Sequence, residues 1–167
     1  IVTVVLIILM SATTFITQHQ LTMKNMPASA LDRYEVRRLC GWFDDKFNTE
    51  VTHPVMTERV WKKVMRAGYP DSRAVKDGLA AIKYHIDYLD GLLEERRWLA
   101  GRMLTLADFA AAAHFSCLDY ISDVDWDRSE NLRNWYATIK SRPAFRSILA
   151  DQVPGVHPAP HYAQLDF

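Results

Sequence analysis

The chain has 167 residues, of which 49% are hydrophobic and 24% charged, with twenty basic side chains set against twenty acidic ones. This is enough chain and enough apolar content for one domain with a core, and it excludes a disordered polypeptide. A formal net charge of zero leaves no basic footprint for nucleic acid, so that class of partner is excluded too.

The first residues do not match the rest. Ile1 to Met10 is almost purely aliphatic and Ser11 to Gln20 is polar. The apolar run is about half of the roughly 20 residues that cross a bilayer, and no basic leader precedes it. Residues 1–26 are therefore expected to be an atypical lead-in, a fragment or a non-native start, with a truncated membrane-tethered helical module as the alternative. A membrane partner is otherwise not indicated, and the expected location is cytoplasmic.

A helical domain is expected over residues 27–151. Ser29 can cap a first helix with Asp32 three residues on, and Leu31, Tyr34, Leu39, Trp42, Phe43 and Phe47 give it an apolar face. Asn48-Thr49 and Pro54 are expected to interrupt it, with Pro54 opening a second segment through Met65 that Gly68 stops. Asp71-Ser72 caps a third helix, where Val75, Leu79, Ile82, Ile86, Leu89 and Leu93 recur at four-three spacing. Gly78 and Gly91 sit inside it at about 1 kcal/mol each relative to alanine, for which close helix approach is one reason.

Leu104 to Phe109 reads as a complete helix start. Thr105 is the expected N-cap, with Asp108 reaching back to close a capping box, and Leu104 and Phe109 stand at the spacing of a hydrophobic staple. The helix it opens, Leu106 to about Tyr120, is apolar all round and should lie at the centre of the bundle. Ser129 caps a further helix bearing Leu132, Trp135, Tyr136 and Ile139; Arg142-Pro143 ends it and starts a short one through Leu149. No strand alternation survives, and the predicted fold class is all-α, a bundle of five to seven helices. Over 152–167, Pro154, Gly155, Pro158 and Pro160 exclude a helix and leave an extended tail. Its last apolar and acidic residues, Tyr162, Leu165, Asp166 and Phe167, make it either a strap on the bundle or a partner-binding peptide.

Little chemistry stands out. Thr105 and Asp108 are catalytic types, but their spacing assigns them to folding. Tyr34, Arg38 and Trp42, four apart on one helix face, are a candidate pocket or interface; Trp42 as core and Arg38 as solvated is the plainer reading. Cys40 and Cys117 read as small buried hydrophobes. His157 and His161 are four apart, yet the prolines around them deny the shared helix face of a metal site, so none is assigned. The carboxylates Asp44, Asp45, Asp123, Asp125 and Asp127 form no catalytic grouping, and those in the loop before a helix suit its dipole. Arg96-Arg97 and Lys62-Lys63 read as solvated faces.

Trp98-Leu99-Ala100-Gly101, Leu104 to Asp108, Trp135-Tyr136 and Ser141-Arg142-Pro143-Ala144-Phe145 resemble the C-terminal domain of the glutathione S-transferase superfamily. Within it, Glu35 to Leu39, Trp42-Phe43-Asp44 and the Pro158-to-Phe167 ending are similar to a bacterial branch that binds the division GTPase FtsZ. The resemblance implies a non-catalytic interaction protein with FtsZ or another division protein as partner, and it leaves room for a homodimer. In this superfamily the glutathione site and the thiol-activating residue belong to a thioredoxin-like domain that comes first. Residues 1–26 are too few to hold one, so no catalytic residue and no cofactor are expected here, glutathione included unless that domain is present. The alternative implied by the same resemblance is the substrate-pocket half of a glutathione S-transferase.

Overall fold

The computed structural model describes residues 27–165. The lead-in over 1–26, and with it the question of an anchor, falls outside the described residues, as do Asp166 and Phe167.

Ser29 accepts the Asp32 N–H and starts α1, Ala30–Gly41. The helical path then runs on through residue 65 without a break. Trp42–Thr52 and Thr57–Trp61 are π-helical, wound one residue wider per hydrogen-bonded ring; α2 (His53–Met56) and α3 (Lys62–Met65) are α-helical. The interruption expected at Asn48-Thr49 and Pro54 does not occur. Proline breaks an α-helix because it lacks an N–H and its ring meets the carbonyl four residues back. Here the backbone before Pro54 is already widened, with the His53 N–H reaching the Asn48 carbonyl, five residues back. The widening also explains the core. Leu39, Phe43, Phe47, Val51 and Val55 are fully buried at a strict four-residue repeat. That repeat drifts around a 3.6-residue helix, whereas a wider turn keeps it on one face. Leu31 and Tyr34 lie on the neighbouring stripe and are 76% and 64% exposed, so they are not part of the apolar face. The path ends at Arg66, left-handed with φ 51°, ahead of Gly68, with the Ala67 N–H closing onto the Lys62 carbonyl at 2.9 Å.

Asp71 caps α4, Ser72–Glu95, through the N–H groups of Arg73 and Ala74, while its own N–H donates to Glu58 at 2.6 Å and pins the turn. Ile82, Ile86 and Leu89 are buried; Val75, Leu79 and Leu93 are half-buried at its margins. Gly78 does mark a close approach, since a Cβ there would sit 2.7 Å from Val55 Cγ2. Gly91 does not: nothing lies within 4 Å of its Cβ position.

A tight turn follows, in which Trp98 and Gly101 exchange N–H···O=C bonds of 3.0 and 2.9 Å. Gly101 holds φ 136°, which only glycine adopts readily. Then come α5 (Leu106–Tyr120), buried along nearly its whole length, a 3₁₀ turn at Trp126–Arg128, α6 (Glu130–Lys140), α7 (Pro143–Arg146) and a last 3₁₀ turn at Ile148–Ala150. Among the described residues the only β pairing is two isolated bridges, and the fold is an all-α bundle. No helix among them is long and apolar enough to cross a membrane. The main core joins the stripes of the first helical path, α4, α5 and α6; a second cluster joins Met56, Val60, Cys117 and Tyr120 to Val153, Val156 and Tyr162 of the tail.

Candidate functional site

The turn at Trp98–Gly101 aims the Leu99 N–H at the start of α5, where it meets Asp108. That carboxylate has no exposed surface. Its Oδ1 accepts from the Leu99 N–H at 2.9 Å and the Trp135 indole at 3.0 Å; its Oδ2 accepts from the Thr105 N–H at 2.8 Å and the Thr105 hydroxyl at 3.0 Å. The capping box is therefore present and extended, tying α5 to the preceding turn and to α6. Burial pushes the Asp108 pKa up, while the Leu99 and Thr105 amides and the indole pull against it. A carboxylate enclosed by four donors has no side open to a substrate. Leu104 packs at the edge of the main core and Phe109 is 7% exposed.

The stripe of Tyr34, Arg38 and Trp42 does not act as one surface. Arg38 donates to both Glu35 oxygens at 2.7 and 2.9 Å and to the Tyr88 hydroxyl at 2.8 Å, so it is not a freely solvated arginine. Arg96 donates to the same Glu35 at 2.8 Å and to the Leu99 carbonyl at 3.1 Å, a tie between α1 and the end of α4 rather than a solvated face. The Arg38 hydrogen bond, supported by Arg96, brings the Glu35 pKa down to about 2. Trp42 is half-buried, stacked on Tyr88 at 4.8 Å and 26°, and donates its indole N–H to His85 Nδ1 at 3.1 Å. With Nδ1 accepting, the His85 proton sits on Nε2, 3.0 Å from Glu50. Burial lowers the His85 pKa, and Glu50 partly offsets it. Lys46 pairs with Glu50 and lies over the rings of Trp42 and Tyr84 at 5.5 and 5.9 Å. Tyr34 of α1 and Tyr84 of α4 are 64% and 58% exposed.

The tail is anchored. Its Ala159 N–H donates to the Tyr120 carbonyl at 2.8 Å, at the end of α5. Tyr120 in turn donates its hydroxyl to the Val156 carbonyl at 2.8 Å and accepts the Val153 N–H at 3.0 Å. Tyr162, a candidate partner anchor by sequence, is instead 2% exposed, with its hydroxyl 2.9 Å from Ser116 and its ring edge-on to Tyr120 at 5.1 Å. An aromatic ring gains more from this apolar slot than from solvent, and its hydroxyl finds a partner there. Leu165 is half-exposed.

Beneath the tail lies a group that sequence reasoning missed. Asp119 and Lys140, both with no exposed surface, pair at 3.4 Å. Asp119 also accepts from the Trp126 indole at 2.8 Å and lies 2.9 Å from His161 of the tail. Lys140 faces the rings of Tyr136 and Tyr162 and donates to the His161 carbonyl at 3.5 Å. Burial lowers the Lys140 pKa and Asp119 opposes that. The signal was present: Lys140 continues the Leu132–Tyr136 spacing of α6 into the core, and Asp119 interrupts an apolar helix. His114 was missed as well; it is 8% exposed and bonded to the Thr52 hydroxyl at 2.9 Å. Cys40 and Cys117 are unbridged, with burial raising both thiols to about 12. Among the described residues no cluster could hold a metal ion.

Known proteins share this fold. FtsZ-localized protein A of Caulobacter vibrioides (strain NA1000 / CB15N) is 49% identical over 136 residues, covering 81% of this chain and 60% of that protein. The structure of FzlA from C. crescentus superposes with a TM-score of 0.84 and 47% identity, over 86% of this chain and 63% of the other. A glutathione S-transferase from Rhodospirillum rubrum F11 does so with a TM-score of 0.84 and 47% identity, over 86% and 64%. One from Sinorhizobium meliloti 1021 reaches 0.83 and 39%, over 93% and 68%. The chain thus spans less than two thirds of the length of FtsZ-localized protein A. Residues 52–143, more than half of the chain, match the model of the glutathione S-transferase C-terminal domain. This chain belongs to the glutathione S-transferase family and carries its C-terminal helical domain.

Proposed function

We propose that this chain is an interaction module of the bacterial division machinery that binds FtsZ and performs no chemistry of its own. The observation that carries the reading is the 49% identity to a protein named for its localisation with FtsZ. The contact surface assigned to it is the face of α1 and α4 where Tyr34 and Tyr84 stand open, since exposed tyrosines supply large contact area at low entropic cost. A cytoplasmic location goes with this reading. Co-sedimentation with FtsZ polymers tests it. The chain is expected to pellet with polymer, and Tyr34→Ala with Tyr84→Ala to weaken pelleting at least about fivefold, as for an interface anchor pair. A chain that stays in the supernatant over assembled FtsZ sinks the proposal.

A second reading, the substrate-pocket half of a glutathione-conjugating enzyme, is favoured by the structural likeness to the Rhodospirillum rubrum and Sinorhizobium meliloti transferases. The two readings separate in one assay. Under the first, purified chain with glutathione and 1-chloro-2,4-dinitrobenzene reacts at the uncatalysed rate, because helices alone supply no thiol-activating group. Turnover above that rate favours the second.

A further inference from the structure

The joint between α3 and α4 is a helical hairpin tip with a charge of its own. Trp61 to Arg73 carries four basic side chains, Lys62, Lys63, Arg66 and Arg73, to one acid, Asp71, in a chain whose formal net charge is zero. The acids that flank the tip in the chain are engaged. Glu58 pairs with Lys62 at 2.6 Å, Asp71 faces the N–H groups of Arg73 and Ala74, and Asp77 lies 4.0 Å from Arg73. Lys63 and Arg66 are exposed and have no acidic partner among the described residues. Beside them in the chain stand Met65, 49% exposed, and Tyr69, 94% exposed, the most exposed large apolar side chain among those described. The tip is fixed from beneath: Trp61 and Val64 pack on the tail cluster, and Glu58 pins the Asp71 N–H. Arg66 and Gly68, with φ 51° and 97°, turn the backbone, and nothing lies within 4 Å of the Gly68 Cβ position, so the outer side is open.

We infer that this tip docks on an anionic lipid surface, with Tyr69 and Met65 entering the headgroup layer and Lys63 and Arg66 meeting lipid phosphates. A tip open on its outer side has no walls to grip a peptide or a small molecule, whereas a deformable surface can close around it. Tyrosine sits well at headgroup level, and each basic residue beside an anionic leaflet strengthens partitioning about fivefold, equivalent to about 1 kcal/mol. The contact is peripheral and sensitive to salt. It is also separate from the face assigned to FtsZ: Tyr84 lies thirteen residues beyond Asp71, about 20 Å along α4. Lipid binding and FtsZ binding therefore stand or fall independently.

Flotation of the full chain with vesicles of equal parts phosphatidylcholine and phosphatidylglycerol tests this, with pure phosphatidylcholine as the comparison. The chain is expected to float with the anionic vesicles alone and to be released by salt. Lys63→Glu with Arg66→Glu is expected to weaken binding at least about tenfold. Met65→Ser with Tyr69→Ser leaves the charge unchanged and is expected to weaken it at least about threefold, since binding scales with buried apolar area. Arg97→Glu with Arg102→Glu makes the same charge change at the other end of α4, about 36 Å away, and is expected to matter far less. Circular dichroism melts confirm that the variants fold. Absence of flotation overturns the inference, as do equal losses from the two charge reversals. Equal binding to pure phosphatidylcholine that survives reversal at the tip overturns it in favour of insertion by the aliphatic run Ile1 to Met10. Binding of polyglutamate without flotation overturns it in favour of an acidic protein partner.

Discussion

Asp108 gathers three buried N–H donors and one hydroxyl, so its loss is not that of an ordinary helix cap. Asp108→Ala strands the Leu99 and Thr105 amides and the Trp135 indole, each orphan costing about 1–3 kcal/mol. A total of about 3–5 kcal/mol is expected, against about 1–2 for Thr105→Ala, which keeps most of those bonds. Urea midpoints of the two variants measure the difference; equal midpoints would show that the box is no more than a surface cap. His114 carries a second expectation. Burial lowers its pKa from 6.5 to about 4, so the folded state binds the proton less readily than the unfolded chain. Its stabilising contribution is full above about pH 6.5 and is lost as pH falls towards 4, by about 2–3 kcal/mol. His114→Gln should flatten the stability curve in that window. Glu35 acts lower: its depressed pKa gives stability that is present above about pH 4.3 and fades towards its folded value of about 2. A wild-type curve with no slope between pH 6.5 and 4 would contradict the His114 account.

The glycines of α4 separate packing from propensity within one helix. Gly91→Ala meets nothing within 4 Å and should gain about 0.5–1 kcal/mol from helix propensity. Gly78→Ala places its Cβ 2.7 Å from Val55 Cγ2 and should lose about 1–3 kcal/mol, because the two helices must part. Thermal melts should shift in opposite directions; shifts of the same sign would mean the helices re-seat freely. The tail is an element in the same sense, although it has no regular structure beyond its one bridge and turns. Deleting Val153 to Phe167 removes the Tyr162 ring and bares the Asp119–Lys140 pair. A loss of about 3 kcal/mol or more is expected, since a buried pair depends on its surroundings. Deletion of Asp166-Phe167 alone is the comparison. If the longer deletion melts with wild type, the tail is a detachable peptide after all.

α5 runs between the two apolar clusters, giving Phe115 and Leu118 to the main core and Cys117 and Tyr120 to the tail cluster. A helix shared in this way couples both clusters into one unfolding event. Near-ultraviolet and far-ultraviolet circular dichroism are expected to give coincident transitions in urea. A separate early step in the near-ultraviolet signal, where the tyrosines report, would show the tail cluster opening on its own.

Local chemistry specified much of this protein. The caps at Ser29, Asp71, Thr105 and Ser129 are short-range hydrogen bonds between residues two or three apart, so they could be read from the chain, and with them the starts of the helices. The α6 stripe and the apolar α5 were legible for the same reason, because helical periodicity converts spacing into a face. The path through Pro54 was not, since a four-residue repeat and a proline signal a break unless the backbone widens, and widening follows from packing Phe43, Phe47 and Val51 on α4 and α5. Tertiary structure alone placed Tyr162 in a slot rather than on a surface and buried Lys140 against Asp119, twenty-one residues away. It also turned Arg38 and Trp42 towards Tyr88 and left Tyr34 outside. The division follows sequence separation: contacts within one helical turn are decided by the chain itself, whereas those between distant segments depend on which faces the assembled helices bring together.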